Sequence, residues 1–555
     1  MRRRFVAAHA CLASVVILGF WSSPPVSVVR AAPGTPRVSW SPCYRDLGLP
    51  FECGTVQVPL DHDGPAEAAI SIALVRLAAT GPGARIGSLF FNPGGPGGSG
   101  VDFLLGFAPF IPPPLRARFD LIGFDPRGIA RSTAVRCFGN SGQWTGFLTP
   151  FPFPVTAAEE TVWAAADQYL IGACDQRAAS IIDHMSTADA ARDLDLLRKA
   201  VGDELLSYVG YSYGSYLGVT YANLFPDRFR ALVVDGVLDP VAWATGAPGE
   251  AATLPFSTRV RSDAGAAVTL SEFLRLCDAG GPACAFAPNA AARFDALAAR
   301  LRAEPHVVLD PATGQLVPFS YADLIANALG AMYNSFSWPS FATFLAYIEA
   351  RAEPAVLGAQ LAVLHRELGL ITKRGFPRYR NGPEGGTTVF CTDSENPDSF
   401  AAWSDAAAAS EAQFGHFGRI WTWVSSPCVG WPGAAPDRYL GPFNAATPHP
   451  VLVVGNQFDP ATRYEGAVTV HELLPNSSLL TLHAWGHTSL LLSQCATVAV
   501  TSYLLTGVPP PSGTLCEQDF VPFTIPLTSS STFEIEARRQ VLGSLIPEVL
   551  LRKAP

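Results

Sequence analysis

The chain is poor in charge. Only 15% of its 555 residues are Asp, Glu, Lys or Arg, and 47 acidic residues outnumber 38 basic ones, a formal net charge of −9. It has no sustained basic patch, and this excludes the usual electrostatic footprint of a nucleic-acid partner. No Cys-x-x-Cys pair occurs among its 11 cysteines. The spacing typical of zinc sites is therefore missing, and neither a metal nor a cofactor is expected. The absence of heptads and of internal repeats excludes a coiled coil and a solenoid. Past the N-terminal leader, no apolar run is long enough to span a bilayer. What remains is a globular composition, 48% hydrophobic, in a chain long enough to bury a large core and an inserted unit. Nothing in it fixes an oligomeric state.

The N-terminus reads as an export signal. Arg2-Arg3-Arg4 is a basic start, and Phe5 to Trp21 is mostly apolar. A Pro/Ser-rich stretch then leads to a small-residue cleavage site after Ala31. His9 interrupts the apolar run, which argues for a cleaved leader (residues 1–31) over a retained anchor. Removing Cys11 leaves ten cysteines that fall as sequence neighbours: Cys43/Cys53, Cys137/Cys174, Cys277/Cys284, Cys391/Cys428 and Cys495/Cys516. Five local disulfides fit an oxidising compartment, secreted or in the cell envelope, although spacing does not prove connectivity.

The chemistry is written in Leu206–Ser215. An apolar run meets Gly210-Tyr211-Ser212-Tyr213-Gly214, and a helical pattern from Tyr216 to Phe225 follows. This is how a nucleophile elbow reads: a strand ends, the chain turns sharply, and a serine is held on the turn beside a helix N-terminus. Small neighbours let strand and helix approach, and the free N–H groups there favour a developing negative charge. Ser212 is the candidate nucleophile.

A serine needs a base, and the base an orienting acid, in the order Ser, Asp/Glu, His. Pro450–Gly455 reads as a buried strand, and Asp459 follows in the loop Asn456–Pro460. Ser478–Leu482 reads as another, leading to His483-Ala484-Trp485-Gly486-His487. The 28 residues from Asp459 to His487 hold one helix (Tyr464 to Leu474) and one strand, as a final αβ unit requires. His483 competes as the base, but it lies nearer the strand body, whereas His487 follows Gly486 at the loop tip. For the oxyanion hole, Ile86–Phe91 reads as a strand and Asn92–Gly100 as the Gly-rich turn after it. That turn lacks the lysine of a phosphate-binding loop. Pro96 has no N–H, so the donors are assigned to the backbone of Gly95 and of Tyr213.

Together these pieces resemble the α/β-hydrolase exopeptidases of the prolyl iminopeptidase and tripeptidyl aminopeptidase group, in its secreted branch with a TAP-like C-terminal region. The resemblance rests on Asn92-Pro93-Gly94-Gly95-Pro96-Gly97, Phe124-Asp125-Pro126-Arg127-Gly128, Gly210–Gly214, Val234–Pro240, Phe458-Asp459-Pro460-Ala461-Thr462 and Gly486-His487. Two positions depart from it. Arg463 stands where the group often has proline, at a place that would border the substrate mouth, and Ala130 stands where it usually has glycine. The resemblance implies a peptide substrate shortened from its N-terminus, by one residue such as proline or by a short peptide. It also implies a carboxylate that pairs with the free ammonium. Asp239, just past the strand Ala231–Val234, is the first candidate, and Glu395 or Asp393 are alternatives.

The fold class expected is α/β: an α/β-hydrolase fold, a mostly parallel, doubly covered sheet with an inserted, mainly helical cap. Strand-like runs at Ala69–Leu77, Ile86–Phe91 and Phe119–Phe124, with a helix at Thr187–Ala200, place the N-terminal part of the core at residues 38–240. Residues 241–445 are Ala-rich, with helical patterns at Leu270–Cys277, Ala290–Arg302, Tyr321–Met332 and Phe341–Arg351, and read as the cap. Sheet alternation resumes over 446–518, and the tail 519–555 has no assignable role. Cap aromatics (Trp338, Phe341, Trp421, Trp423) suit an acyl or sterol chain as well as a peptide side chain. An esterase or lipase thus stands as a second reading, and a non-catalytic binding protein on the same scaffold as a third.

Overall fold

Strand-forming and helix-forming runs alternate along the chain and build one large sheet. The structure, a computed structural model, describes residues 37–64, 68–369 and 381–524, and within the C-terminal stretch 541, 545–547, 550, 552 and 553. The expected leader lies outside the described residues. Among the described residues there are twelve strands: β1 (Ser41–Pro42), β2 (Phe51–Pro59), β3 (Ala69–Leu77), β4 (Gly87–Asn92), β5 (Phe119–Asp125), β6 (Leu206–Tyr211), β7 (Phe229–Asp235), β8 (His306–Leu309), β9 (Leu316–Phe319), β10 (Val451–Phe458), β11 (Ser477–Trp485) and β12 (Thr514–Glu517). Ten form a single sheet in the order β1-β2-β3-β5-β4-β6-β7-β10-β11-β12. The first pairings, through β3 with β5, are antiparallel, and every pairing from β5 to β12 is parallel.

The parallel strands are apolar without alternation, because both faces are covered. Side chains leave a strand on opposite faces in turn. Phe90, Ile122, Tyr208, Val234 and Val453 accordingly enter one apolar cluster, and Leu89, Phe91, Leu121, Val209, Val233 and Val454 another. The helix Thr187–Ala200 begins with Ser186 accepting from the Asp189 N–H, an N-cap that fixes its start. All five cysteine pairs that neighbour in sequence are bonded: Cys43–Cys53, Cys137–Cys174, Cys277–Cys284, Cys391–Cys428 and Cys495–Cys516. Among the described residues, no helix is long and apolar enough to cross a membrane.

Between β7 and β10 the chain leaves the sheet and builds a layer of helices, including Ser262–Gly280, Ala290–Ala303, Tyr321–Tyr333, Trp338–Glu349 and Gly382–Asp393. The layer has its own core, with Phe273, Phe294, Leu324, Trp338, Phe341 and Phe344 fully buried. It also contains the antiparallel hairpin β8–β9, which the helical reading of this region did not include. Each of its strands has only four residues, too few for a period-2 pattern to stand out.

Two segments from outside this stretch pack onto the helical layer. One is the long helix Ala157–Ile182, started by a capping box between Thr156 and Glu159. Its Trp163 packs with Trp403 and Trp423 and donates from Nε1 to Ser426 Oγ at 2.9 Å. The other is the end of the chain, where Ile546 and Leu550 join the cap cluster.

Candidate active site

Ser212 sits between β6 and the helix Tyr213–Leu224 with φ 57° and ψ −126°. A non-glycine residue rarely adopts this conformation, and it persists only where the surroundings enforce it. Enforcement here is by close backbone contact. A Cβ on Gly210 would lie 2.1 Å from the Gly214 carbonyl oxygen, and one on Gly214 would lie 2.7 Å from that of Asn92. Only glycine allows strand, helix and the neighbouring turn to meet this closely. The Ser212 N–H donates to the Asp235 carbonyl at 2.9 Å, tying the elbow to the end of β7.

The turn after β4 lies against this elbow. Asn92 Oδ1 accepts the Gly94 N–H at 2.8 Å, and Gly94, Gly95 and Gly97 all have positive φ. Gly95, Pro96 and Ser212 line one cavity. Tyr213 is the first residue of its helix, so its N–H has no acceptor inside that helix. Of the two assigned oxyanion donors, Gly95 thus lines the Ser212 cavity and Tyr213 follows the serine at the helix start.

Asp459 follows β10 and His487 follows β11, where the sequence placed them. The Nδ1 of His487 is 2.9 Å and 3.0 Å from the two Asp459 oxygens. Both side chains are almost completely buried. Asp459 also accepts from the N–H groups of Ala461, Thr462 and Thr488 and from Thr462 Oγ1. With this many donors the carboxylate is fixed in place, and the imidazole is oriented with Nδ1 toward it. His487 Nε2 is buried and has no hydrogen-bond partner among the described residues. The His487 N–H donates to the Tyr333 carbonyl, and the two rings meet edge to face at 5.0 Å. Tyr333 in turn lines the Ser212 cavity. His483 lies in β11, half-exposed, with Nδ1 3.3 Å from Glu517.

The cavity is narrow, about 60 Å³, and its wall is almost entirely apolar. Trp243, Phe256, Phe390 and Trp421 contribute rings to it, whereas Trp338, Phe341 and Trp423 belong to the packed interior instead. Two polar tips on lining residues, Tyr333 OH and Trp421 Nε1, are buried without a hydrogen-bond partner among the described residues.

The proposed ammonium partners are not on this wall, and no Asp or Glu lines it among the described residues. Asp239 caps the short helix Pro240–Ala244, its Oδ1 accepting from the Val241 and Ala242 N–H groups. It lies on a separate small pocket with Arg259 and Arg463, behind Leu238, Val260 and Thr462, which border both spaces. The departure at Arg463 is therefore beside Asp239 and not on the Ser212 cavity. Glu395 is half-exposed, 3.7 Å from Arg438, in an open surface pocket. Asp393 is buried among polar groups: it accepts from the Thr187 N–H and Oγ1 and from Trp243 Nε1. Thr187 Oγ1 also contacts Tyr213 OH at 2.5 Å, so this network reaches the residue after the elbow serine.

Two buried carboxyls near the elbow have unusual acidity. Burial pushes Asp393 up to about 7, against the opposing hydrogen bonds from Thr187 and Trp243. Burial likewise pushes Asp235 up to about 6, although Ser489 donates to it from both N–H and Oγ. No spacing rule singled out Thr187, Asp235, Tyr333 or Thr462, because their roles come from the approach of distant segments. Ala130, one of the two departures from the resemblance, has φ 46°, the left-handed region that glycine occupies without cost.

Residues 412–516 match the family model for TAP-like proteins, and residues 87–266 match that for the α/β hydrolase fold. The chain is 31% identical over 496 residues to the serine protease Hip1 of Mycobacterium tuberculosis, covering 86% of this chain and 91% of that one. It is 29% identical over 503 residues to a tripeptidyl aminopeptidase of Streptomyces lividans, covering 87% and 86%. It is also 30% identical over 556 residues to a Mycobacterium tuberculosis protein named carboxylesterase B, covering 93% and 99%.

Proposed function

The chain belongs to the α/β-hydrolase serine peptidases with a TAP-like C-terminal region, and on that premise we propose that it shortens peptides from their N-termini through an acyl-enzyme on Ser212. The observation that carries this reading is the forced conformation of Ser212, φ 57° and ψ −126°, on a cavity bordered by the ring that packs on His487.

In the proposed reaction His487 Nε2 takes the proton from Ser212 Oγ as that oxygen attacks the scissile carbonyl. Asp459 holds Nδ1 and stabilises the imidazolium that forms. The carbonyl oxygen becomes an oxyanion facing the N–H groups of Gly95 and Tyr213. The C–N bond then breaks, and His487 returns the proton to the leaving amine. Water repeats the sequence on the acyl-enzyme, its proton going to His487 and then to Ser212 Oγ, and the acid is released.

Two features support a peptide over a plain acyl chain. The unpartnered tips of Tyr333 and Trp421 suit the amide groups of a peptide, since a buried polar group left without a partner costs about 1–3 kcal/mol. The relatives named for peptidase activity point the same way, while the one named carboxylesterase keeps ester cleavage as the alternative. Release from the N-terminus rests on the aminopeptidase relative and on a cavity narrowed by the helical layer and the tail. Neither Asp239 nor Glu395 lines the Ser212 cavity, so neither adds support to an ammonium contact. Export of the mature protein is supported by the basic, apolar leader and five disulfides.

The test is turnover of matched substrates: free and N-acetylated peptidyl arylamides, and short acyl esters. Faster cleavage of the free peptidyl arylamides, by about tenfold or more in kcat/KM (roughly 1.4 kcal/mol), is the expected result. Equal rates on free and acetylated arylamides would indicate an endopeptidase. Cleavage of esters with none of arylamides would indicate an esterase.

A further inference from the structure

Two residues near the end of the chain reach the site. Pro547 and Leu550 line the same cavity as Ser212, although they lie far from it in sequence. Leu550 is 8% exposed and packs into the cluster of the helical layer, together with Ile546. Its N–H donates to the Pro547 carbonyl at 3.0 Å.

An anchor lies just beyond Leu550. Arg552 is 2% exposed, with Nη1 2.6 Å from Asp167 Oδ1. Its guanidinium lies over the rings of Phe147 and Trp163, 4.3 Å and 3.9 Å from their centroids. Asp167 also accepts from Ser426 Oγ, so the tail, the long helix and the helical layer meet at one carboxylate. The Arg552 carbonyl accepts the Thr149 N–H at 3.1 Å, and Lys553 Nζ reaches Asp323. Separating the partners of a buried ion pair leaves an uncompensated buried charge, so the pair resists displacement. Leu550 lies two residues before this anchor.

We propose that Pro547 and Leu550 form a wall of the substrate cavity and that Leu550 sets the size of the group admitted beside Ser212. The proposal rests on the reading of Ser212 as the nucleophile. With the tail seated, the cavity of about 60 Å³ is far smaller than the ~300–1,000 Å³ of ordinary ligand pockets. A side chain at this wall therefore limits what enters more than one on a roomier wall would.

The experiment compares the full-length protein with Leu550→Ala and Leu550→Trp. The readout is the ratio of kcat/KM for a bulky over a small aminoacyl arylamide (Phe over Ala), and for octanoyl over acetyl esters. Leu550→Ala is expected to raise these ratios about tenfold, and Leu550→Trp to lower them by a similar factor. Ratios within twofold of the parent in both variants, with folding confirmed by circular dichroism, would overturn the proposal. The ester series reads the wall even if amides are not cleaved, so failure of the peptidase reading is distinguishable. Undiminished activity of Ser212→Ala in the same assay would remove the premise instead. If Leu550→Ala does not fold, the Trp variant and the paired change Asp167→Asn with Arg552→Met, which leaves no stranded charge, still decide. That pair is expected to loosen the wall and shift the ratios toward bulky substrates, and unchanged ratios would count against it.

Discussion

A Cβ placed on Gly94 would lie 2.8 Å from the Ser212 Cβ and 2.4 Å from the Tyr211 carbonyl oxygen. The Gly-rich turn and the elbow thus touch backbone to backbone, at a distance no other residue permits. Gly94 also has φ 91°, so a side chain is strained there whatever the space. Gly94→Ala is expected to lower kcat/KM by about 10²-fold or more by moving the Gly95 N–H away from the serine. Full activity in a folded Gly94→Ala protein would show that the turn does not position the oxyanion donors.

The two histidines near the end of β11 separate clearly. His487 is buried against Asp459, while His483 is half-exposed beside Glu517. His487→Ala is expected to lose roughly 10³-fold or more in turnover, and Asp459→Asn somewhat less, by analogy with other triads. His483→Ala is expected to keep most activity. Steady-state kinetics of the three variants checks this, and a reversed ranking of the histidines would displace His487.

Asp393 gives a prediction about stability. Its carboxyl titrates near 7 in the folded protein because it is buried, against about 3.9 for an unperturbed Asp. Between these values the folded state holds a proton that the unfolded state has released. This group's contribution is therefore most favourable below about pH 4 and is lost as pH rises through about 7. Asp393→Asn removes the titration, so the variant is expected to be more stable than the parent at pH 8, by a few kcal/mol at most, with less difference at pH 5. Urea unfolding at both pH values measures it. A gap between variant and parent that does not change with pH would refute the assignment of this acidity to Asp393.

Much of this architecture was legible from local pattern. The run Ala69–Leu77 is β3 to the residue, and Thr187–Ala200 is likewise a complete helix. Strand and helix leave period-2 or continuous apolar signals that sequence shows directly, and the elbow adds a glycine pattern with a steric cause. Order and spacing also placed Asp459 and His487 at successive strand ends, where the structure brings them within hydrogen-bond distance. The cavity wall was not legible in the same way. Leu238, Tyr333, Phe390, Trp421 and Leu550 come from five separate segments, and nothing local marks them as neighbours. Asp239 shows the converse: its position past a strand end suggested a substrate contact, whereas the structure has it capping a helix off the Ser212 cavity, as an Asp followed by Pro240 at a helix start favours by its own chemistry. The tail offered no motif at all, since Arg552 acquires its role only by burial against Asp167.

The most direct measurement is active-site labelling of the purified protein with a fluorophosphonate, followed by peptide mapping of the adduct. Attack by Ser212 Oγ on the phosphorus, with loss of fluoride, leaves a stable phosphonyl serine. A single adduct on Ser212, absent from a folded Ser212→Ala variant that has also lost about 10³-fold or more of its arylamide turnover, is the result this account predicts. Labelling at another residue, or arylamide cleavage that persists in Ser212→Ala, would contradict it.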